Sequence, residues 1–271
     1  MTPCRIMGIV NVTPDSFSDG GRYLDHAAAL AHARRLIAEG ADILDIGGES
    51  TRPGAEPVSE AVEIARTVPL IAALRAGFDI PISIDTMKPA VARAAVQAGA
   101  TMWNDVAALT WSPDSRATAA DLGCEVVLMH MRGEPRTMQA DPRYDDVVRE
   151  VGEYLMARAD DAMAAGVARD RIWLDPGIGF GKTMAHNLAL LRGLDELAAL
   201  GFPIVYGASR KSTIARIDPT ATDAEDRLGG SIAFALAAAR AGAAMVRVHD
   251  VRETRQALAV QAAIEAQAVA P

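Results

Sequence analysis

Three polar residues, Asp85, Asn104 and Asp175, each end a short apolar run of the sequence. Two carboxylates and one amide suit the edge of a flat heterocycle with several N–H donors, such as an aminopyrimidine ring. Buried hydrogen bonds to charged groups contribute about 1.5–3 kcal/mol each. The same trio could instead hold a magnesium ion, because hard cations prefer oxygen ligands. The residue types leave both alternatives open, whereas the neighbouring Asp105 is expected to point the other way and to be structural.

Asp175 opens a glycine-rich segment, Trp173–Lys182, with the sequence WLDPGIGFGK. Pro176 bars further helix or strand pairing, and three glycines follow at every second position. The segment is not a phosphate-cradling Walker loop, because Pro176 stands where that motif needs its first glycine, and GxGxG is not the dinucleotide fingerprint. We expect the glycines to let a flat ligand or another loop approach closely. A tight turn with a solvated Asp175 is the alternative.

A cationic cluster is predicted from three residues of an otherwise acidic chain. The net charge is −8, so an anion has to be bound by a local group of basic side chains. Arg52 lies in the loop after the second predicted strand, where a guanidinium suits a pair of phosphate oxygens, although a solvated arginine is the plain alternative. Arg247 and His249 are two residues apart and therefore share one side of the last strand. Together the three side chains suit a diphosphate.

Further candidate groups follow the first, fifth and seventh predicted strands. The segment 207–212 leads into a helix, whose first backbone amides attract anions, and Lys211 and Ser212 add donors for a carboxylate or phosphate. The amide oxygen of Asn11 could help to hold a hard cation, with a plain turn as the alternative. His130 is expected to be an ordinary core or rim histidine rather than a catalytic group.

These residues need a scaffold that brings distant strand ends together, and one repeated pattern predicts it. A small-residue helix end, a glycine suited to the left-handed helix cap and an apolar strand recur at Gly40, Gly77, Gly99, Gly123, Gly166, Gly201 and Gly242. With an opening strand over Ile6–Val12, the pattern predicts eight strands that alternate with helices. We therefore expect an α/β fold, a single-domain (β/α)8 TIM barrel over residues 1–271, with a doubly wound sheet as the alternative. The polar residues would then meet where the strands end, at the carboxyl face of the barrel.

Composition argues against several classes of partner. The acidic balance disfavours nucleic acid, whose phosphates need a basic face. Cys4 and Cys124 are too few and too far apart for a disulfide framework or a zinc site, so both are expected to be inert thiols of a cytoplasmic protein. The longest early apolar stretch, Ile6–Val10, is too short for a signal peptide or a membrane span. No membrane partner is therefore expected.

The chain also carries longer motifs in a characteristic order. They are NVTPDSFSDGG, GGESTRPGA, SIDTMKP, NDV, the MHM and GEP of residues 129–135, LDPGIGFGKT, GASRKS and RVHDV. Their order and spacing resemble the dihydropteroate synthase family over essentially the whole chain. The resemblance implies a (β/α)8 barrel, a homodimer, and an enzyme that makes dihydropteroate from a dihydropterin methyl diphosphate and 4-aminobenzoate. Two departures are small: Ile178 stands where many members have Phe, and the short N-terminus leaves at most a minimal plug at the barrel bottom.

The resemblance also assigns roles to the residues at matching positions. It implies a pterin site formed by Asp85, Asn104, Asp175 and Lys211, with Arg247 packed over the ring. It implies a diphosphate site, with Mg²⁺ at Asn11, formed by Asn11, Thr51, Arg52, Arg247 and His249. The 4-aminobenzoate would be bordered by Phe17, Pro53 and Phe180, and its carboxylate would be bound by Ser212.

The predicted reaction breaks the bond between a methylene group and a diphosphate oxygen. Mg²⁺ and the predicted catalytic residues would stabilise the leaving charge and hold the substrate; these residues are Arg52, Lys211, Arg247 and His249. Departure before attack is favoured because the methylene cation is conjugated with the ring. The loops 11–21 and 48–54 would close and exclude water. No general base is evident, and an anchored arylamine can attack without one.

Two rival functions are weighed against this one. A methyltetrahydrofolate–corrinoid methyltransferase resembles the same pterin barrel and would share the Asp/Asn/Asp trio. It would need neither a diphosphate cluster nor the SFSDGG loop, so the presence of both disfavours it. A catalytically silent homologue that only binds pterin or a partner protein is disfavoured by the intact loop motifs.

Overall fold

The structure, a computed structural model, describes residues 3–12, 22–50, 56–133, 138 and 141–267, with the backbone alone for residues 22–25 and 267. Eight strands lie in these ranges: β1 (Arg5–Asn11), β2 (Ile43–Gly47), β3 (Ile82–Asp85), β4 (Met102–Asp105), β5 (Glu125–Met129), β6 (Ile172–Asp175), β7 (Val205–Tyr206) and β8 (Met245–Val248). Ten α-helices in these ranges follow the strands, one after each strand except for two after β6 and two after β7: α1 (Arg22–Ala38), α2 (Glu60–Gly77), α3 (Pro89–Gln97), α4 (Ser115–Leu122), α5 (Val147–Ala164), α6 (Met184–Arg192), α7 (Leu194–Ala198), α8 (Ser212–Ile217), α9 (Leu228–Arg240) and α10 (Val251–Gln267).

The strands form one parallel sheet that closes on itself. Their order is β6-β5-β4-β3-β2-β1-β8-β7. A parallel bridge between Leu174 of β6 and Ile204, the residue before β7, joins the two edges. The amide of Leu174 also donates to the carbonyl of Pro203 at 3.0 Å. The (β/α)8 barrel is therefore confirmed, and the doubly wound alternative is wrong.

Side chains alternate between the barrel lumen and the outer core, as the pleat of a strand requires. One lumen layer near the amino ends is apolar and consists of Met7, Ile43, Met102, Val127, Trp173, Val205 and Met245. Two residues further along the same strands, the layer is mostly polar and includes Asp45, Asn104, Asp175 and Arg247. The outward-facing residues of the strands pack with the helices in a separate core. The apolar layer thus closes the floor of a cup whose polar groups face the carboxyl end.

Six of the seven predicted glycine caps adopt a positive φ, at Gly40, Gly99, Gly123, Gly166, Gly201 and Gly242. The prediction for Gly77 was wrong, because Gly77 is the last residue of α2 and is not left-handed. There the amide of Phe78 still donates to Leu74, and Phe78 leaves the helix in an extended conformation with φ −145°. Phe78 packs against the outer core, so its burial directs the chain away from the helix axis.

Pro89 occupies the first turn of α3, where its missing N–H leaves no helical hydrogen bond unmade. Among the residues that the structure describes, no helix combines the length and the hydropathy that crossing a membrane requires.

Candidate active site

The predicted trio lies at the carboxyl end of the barrel, where the strands bring the three residues to one lumen. Asp85 and Asn104 are direct neighbours in the register of β3 and β4. Asp175 ends β6 and is paired with Met129 of β5. Asn104 and Asp175 are buried, at 5% and 6% exposure, and Asp85 is half-buried. Three segments far apart in sequence therefore bring hydrogen-bonding groups to one lumen.

Asp45 is a member of this cluster to which the sequence analysis assigned no role. Its side chain is fully buried, and one oxygen, Oδ2, accepts from Asn104 Nδ2 at 3.1 Å and from Arg247 Nε at 2.6 Å. The other oxygen, Oδ1, has no hydrogen-bond partner among the described residues. A charged residue at an inward-facing position of a buried strand was the signal that could have identified Asp45.

Arg247 connects two of the acidic groups. In addition to Asp45, its guanidinium donates from Nη2 to Asp85 Oδ2 at 2.7 Å. Burial alone would lower the pKa of Arg247, but Asp45 and Asp85 outweigh it and raise that pKa. Burial raises the pKa of Asp85 to about 7, although Arg247 opposes the shift. The carboxyl group of Asp85 therefore titrates near neutral pH, which is common in functional sites.

Lys211 lies close to Asp175 at the same end of the barrel. Burial lowers the pKa of Lys211 to about 8, and the neighbouring Asp175 opposes the shift. Burial also raises the pKa of Asp175, with Lys211 opposing. The ammonium group of Lys211 donates to the carbonyl of Ile178 and lies 4.8 Å from the centre of the Phe180 ring. A cation, a carboxylate and an aromatic ring thus adjoin one another.

An apolar cluster borders the polar groups. Its members come from the ends of β3, β4 and β5 and from the loops beyond them, and they are Met87, Val106, Ala107 and Met129, with Met131 and Phe180 packed against them. Asp105 points away from the lumen, as expected, and accepts from the amides of Ala107 and Leu109 at 2.8 Å each. A few convergent polar groups beside apolar side chains are the usual lining of a small-molecule site.

The glycine-rich segment after β6 is packed against the chain that follows β5. A Cβ on Gly177 would lie 1.9 Å from the carbonyl oxygen of His130, and one on Gly181 would lie 2.2 Å from that of Arg132. Both glycines have a positive φ, of 68° and 63°. The glycines were predicted to let either a flat ligand or another loop approach closely. At Gly177 and Gly181 it is another loop that does so.

Lys182, which the sequence analysis did not assign, locks these two segments together. It is 1% exposed, and its Nζ donates to the carbonyls of Gly177, Phe180 and His130 at 3.0, 3.0 and 3.2 Å. It also lies 2.8 Å from Nδ1 of His130. Burial, followed by the charge of Lys182, lowers the pKa of His130 to about 3. His130 is thus a satisfied buried histidine, as expected.

The remaining predicted groups lie at the rim. His249 follows β8, and its Nδ1 lies 3.0 Å from Oγ of Ser209. Ser212 is the first residue of α8 and is exposed. Asn11 ends β1 and is half-buried. A Cβ on Gly47 would lie 3.7 Å from both Asn11 Oδ1 and Asp85 Oδ2, so this glycine leaves a space between two oxygen atoms.

The alternative of a metal held by the trio, one member of which is the amide Asn104, stays a prediction. No group of three or more His, Cys, Asp or Glu side chains within the described ranges is arranged to hold an ion. Four predicted site residues, Phe17, Thr51, Arg52 and Pro53, lie outside the described residues. The approach of Arg52 to Arg247 and His249 accordingly stays a prediction.

A buried ion cluster lies at the base of the segment that carries Thr51 and Arg52. Lys88 forms ion pairs with Glu49 and, at 2.7 Å, with Glu63. Glu63 is fully buried on α2. A Cβ on Gly48 would lie 2.8 Å from Cγ2 of Thr67, so the missing side chain lets α2 pack closely against this segment. None of the three charged residues was assigned a role from the sequence.

Known proteins share this architecture and sequence. The profile of a family described as pterin binding enzyme matches residues 7–249. A dihydropteroate synthase of Neisseria meningitidis serogroup B is 53% identical over 267 residues, covering 96% of this chain and 92% of that protein. A structure of Xanthomonas albilineans dihydropteroate synthase with 4-aminobenzoic acid has a TM-score of 0.92 at 49% identity and covers 99% of this chain and 94% of that one. The enzyme of the same organism in complex with 7,8-dihydropteroate has a TM-score of 0.89 at 46% identity, with 99% and 95% covered.

Proposed function

Since this chain belongs to the dihydropteroate synthase family of pterin binding enzymes, and is thus a transferase of folate biosynthesis, we propose which substrates it joins. They are 6-hydroxymethyl-7,8-dihydropterin diphosphate and 4-aminobenzoate, and the products are 7,8-dihydropteroate and diphosphate. The convergence of Asp85, Asn104 and Asp175 with Arg247 in one lumen carries this proposal. Solved relatives bind 4-aminobenzoic acid and 7,8-dihydropteroate, which supports the same substrate classes here.

The pterin ring binds in the cup between the acidic groups and the apolar cluster. Its amino and ring N–H groups donate to Asp85 and Asp175, and Asn104 offers one amide acceptor and one donor. Its flat faces contact apolar side chains such as Met129 and the guanidinium plane of Arg247, which stacks well on conjugated rings. Asp45 holds Arg247 and Asn104 in place through one shared oxygen.

The diphosphate lies at the rim, where Arg247, His249 and Arg52 supply positive charge. Asn11 Oδ1 borders the position next to Gly47, and Mg²⁺ usually takes only one or two protein oxygens together with substrate phosphates and water. Asn11 would hold Mg²⁺ there, and the bound ion would neutralise charge on the leaving diphosphate. Thr51 adds a hydroxyl donor to the same group.

The reaction is a substitution at the exocyclic methylene carbon. The bond between that carbon and the diphosphate oxygen breaks, and its electron pair leaves with the diphosphate. Arg247, His249 and Arg52 stabilise the developing charge. The aryl amine nitrogen then forms the new bond to carbon and releases one proton to water or to the diphosphate. No side chain is required as a general base, because the held arylamine gains from positioning.

The second substrate binds beside the glycine-rich segment. Phe180, which adjoins Lys211, borders the ring of 4-aminobenzoate together with Phe17 and Pro53. Ser212, exposed at the rim, binds the carboxylate. Loops 11–21 and 48–54 close over the site and exclude water.

The test is a direct assay of turnover. The purified chain is incubated with dihydropterin diphosphate, 4-aminobenzoate and Mg²⁺, and diphosphate release and dihydropteroate are both measured. Release should depend on the arylamine and should be inhibited by a sulfonamide. Asp85→Ala should abolish pterin binding by calorimetry without changing the circular dichroism spectrum, whereas Asp121→Ala, at an exposed ion pair with Arg93, should match the wild type. Near wild-type turnover in Asp85→Ala would remove the pterin assignment.

The same assay separates the rival functions. A corrinoid-dependent methyltransferase would consume methyltetrahydrofolate in the presence of a corrinoid and release no diphosphate. A silent homologue would bind the pterin and show no turnover. The homodimer is also part of this proposal, and α10, which exposes Val260 (55%) and Ile264 (60%) one turn apart, is a candidate contact. Light scattering of the wild type and of Ile264→Glu measures whether this face joins two copies.

A further inference from the structure

The pairing of β7 with β8 continues in side chains beyond the point where the strands end. Within the sheet, Val205 pairs with Met245 and Tyr206 with Val246. Further along, Ser209 contacts His249, and Arg210 contacts Asp250. All four pairs keep the same separation of forty residues. The register of the ladder is therefore carried into the two segments that bear the rim groups.

The first of these side-chain contacts is a double one. The amide of His249 donates to Oγ of Ser209 at 3.2 Å, and the same oxygen lies 3.0 Å from Nδ1 of His249. Between this contact and the strands, a Cβ on Gly207 would lie 3.6 Å from Cβ of Arg247. The two segments thus stay adjacent as far as residues 209 and 249.

The second contact is a bidentate ion pair. Arg210 donates from Nε to Asp250 Oδ2 at 3.0 Å and from Nη2 to Asp250 Oδ1 at 2.5 Å. Both side chains are largely covered, at 28% and 15% exposure, so solvent screens them less than a surface pair. The planar guanidinium fork fixes distance and orientation together, which a single hydrogen bond cannot do.

Arg210 is also held in a conformation that non-glycine residues rarely adopt. Its φ is 58°, in the left-handed region. Its amide donates to Oγ of Ser231 at 2.9 Å, and its carbonyl accepts from Nη1 of Arg227 at 3.0 Å. Such strain persists only where the surroundings determine the geometry, and it is concentrated at functional sites. Here the side chain, the amide and the carbonyl of one residue are all fixed.

We propose that Arg210 and Asp250 are a positioning pair that sets Lys211 and His249 in their working geometry. The proposed function assigns neither member a contact with the substrate. Lys211 directly follows Arg210, and His249 directly precedes Asp250, so the pair ties the segment that bears the pterin cation to the segment that bears the diphosphate donor. This inference rests on the proposed function for the roles of Lys211 and His249. The pair itself is a feature of the protein without substrate.

Two substitutions separate the ion pair from the backbone strain. Arg210→Gly removes the guanidinium and accepts the positive φ without strain. Asp250→Asn keeps the shape of the side chain and removes its charge, and the carbonyl of residue 250 stays available to Thr254 on α10. Each variant should lower kcat by about 10- to 100-fold, because a displacement of about 1 Å in a catalytic group can cost 100-fold. The double variant should lose no more than either single variant, since both remove the same link.

Asp42→Asn is the matched control. Asp42 pairs with Arg255 of α10 at 2.6 Å, just before the amino end of β2 and away from the rim. The melting temperature of the Asp42→Asn variant should fall about as much as that of Asp250→Asn. The kcat and KM of Asp42→Asn should stay within about twofold of the wild type. This comparison separates positioning from a general effect on stability.

Two readouts do not depend on turnover. The imidazole resonances of His249, assigned by their loss in His249→Gln, should shift in Arg210→Gly and Asp250→Asn and not in Asp42→Asn. Calorimetric binding of inorganic diphosphate with Mg²⁺ should weaken by about tenfold in the first two variants only, about the contribution of one hydrogen bond to a charged group. Wild-type kcat, diphosphate affinity and His249 resonances in both variants would overturn the proposal, and so would additive losses in the double variant. A wild type that forms no dihydropteroate would instead contradict the proposed function, and the resonances of His249 would still decide whether the pair positions it.

Discussion

Arg247 Nε, on the last strand of the barrel, lies 2.6 Å from the Asp45 carboxylate on the second strand. The two residues are 202 positions apart in sequence, and strand β1 lies between their strands in the sheet. Asp45 is fully buried, so the guanidinium is the charge that makes this burial tolerable. An ion pair between two strands thus holds Arg247 in place in the proposed pterin site.

Replacing Asp45 by Asn should weaken both the fold and the site. Arg247 and Asn104 would share a neutral amide oxygen instead of a carboxylate, at a cost of about 1.5–3 kcal/mol in unfolding free energy. Pterin affinity should fall with it, because both residues face the ring. Urea denaturation and calorimetry measure the two effects. Asp121→Asn, at an exposed pair, should cost at most about 1 kcal/mol, and equal losses in both variants would contradict a special role for Asp45.

Gly177→Ala should be much more destabilising than Gly123→Ala. Both glycines have a positive φ, of 68° and 59°, so each alanine costs about 1–2 kcal/mol in backbone strain. Nothing lies within 4 Å of a Cβ on Gly123, whereas one on Gly177 would meet the carbonyl of His130. Displacing that carbonyl should add about 1–3 kcal/mol. Chemical denaturation of the two variants gives the difference directly, and equal losses would refute the close packing of these segments.

His130 should make the protein less stable in acid. Burial and Lys182 lower its pKa from 6.5 to about 3, so between these values the unfolded chain binds a proton that the folded chain does not. The contribution of His130 is therefore present above pH 6.5 and is lost as the pH falls toward 3, by about 1.4 kcal/mol per pH unit. The difference in unfolding free energy between wild type and His130→Gln, measured from pH 7 to 4, should follow this slope. A constant difference would show that His130 takes up its proton equally in both states.

Arg52→Ala should spare pterin binding and reduce turnover. Arg52 is proposed to stabilise the leaving diphosphate, and losing one such donor lowers kcat by about 100-fold or more. Steady-state kinetics and calorimetry with a pterin that lacks the diphosphate measure the two properties. The matched variant Arg93→Ala removes an exposed guanidinium that pairs with Asp121 and should behave as wild type. Unchanged rates in Arg52→Ala would leave that arginine as a solvated surface group.

The barrel and the convergence of Asp85, Asn104 and Asp175 follow from features that sequence displays directly. Helix-ending glycines and alternating patterns are local, and in a closed parallel sheet all strand ends face one way. Gly77 shows where a local rule fails, because burial of Phe78 directs the chain as well as a left-handed residue could. The spacing of the glycines after Asp175 predicted that another group lies close to their backbone. Only the packing in the folded structure shows that this group is the segment after β5.

The contacts made by Asp45, by Lys182 and between Lys88 and Glu63 were not predicted, for a common reason. Each is a charged residue with at least one partner that is distant in sequence, and a single position does not reveal which residue that partner is. Lys182 binds three carbonyl oxygens, which no side-chain motif records. Arg210 and Asp250 belong to the same class, since their pairing depends on a strand register that exists only in the folded sheet.

The closure of the cylinder is uneven. Neighbouring strands share two to five registered residue pairs everywhere except between β6 and β7, where within the described residues one bridge joins Leu174 to Ile204. Asp175 ends β6, and Lys211 follows β7. The two side chains are close enough for each to alter the pKa of the other. A heterocycle bound by both side chains would link the two strands that share the fewest contacts. The melting temperature of the whole barrel should therefore rise as more of the protein binds this ligand.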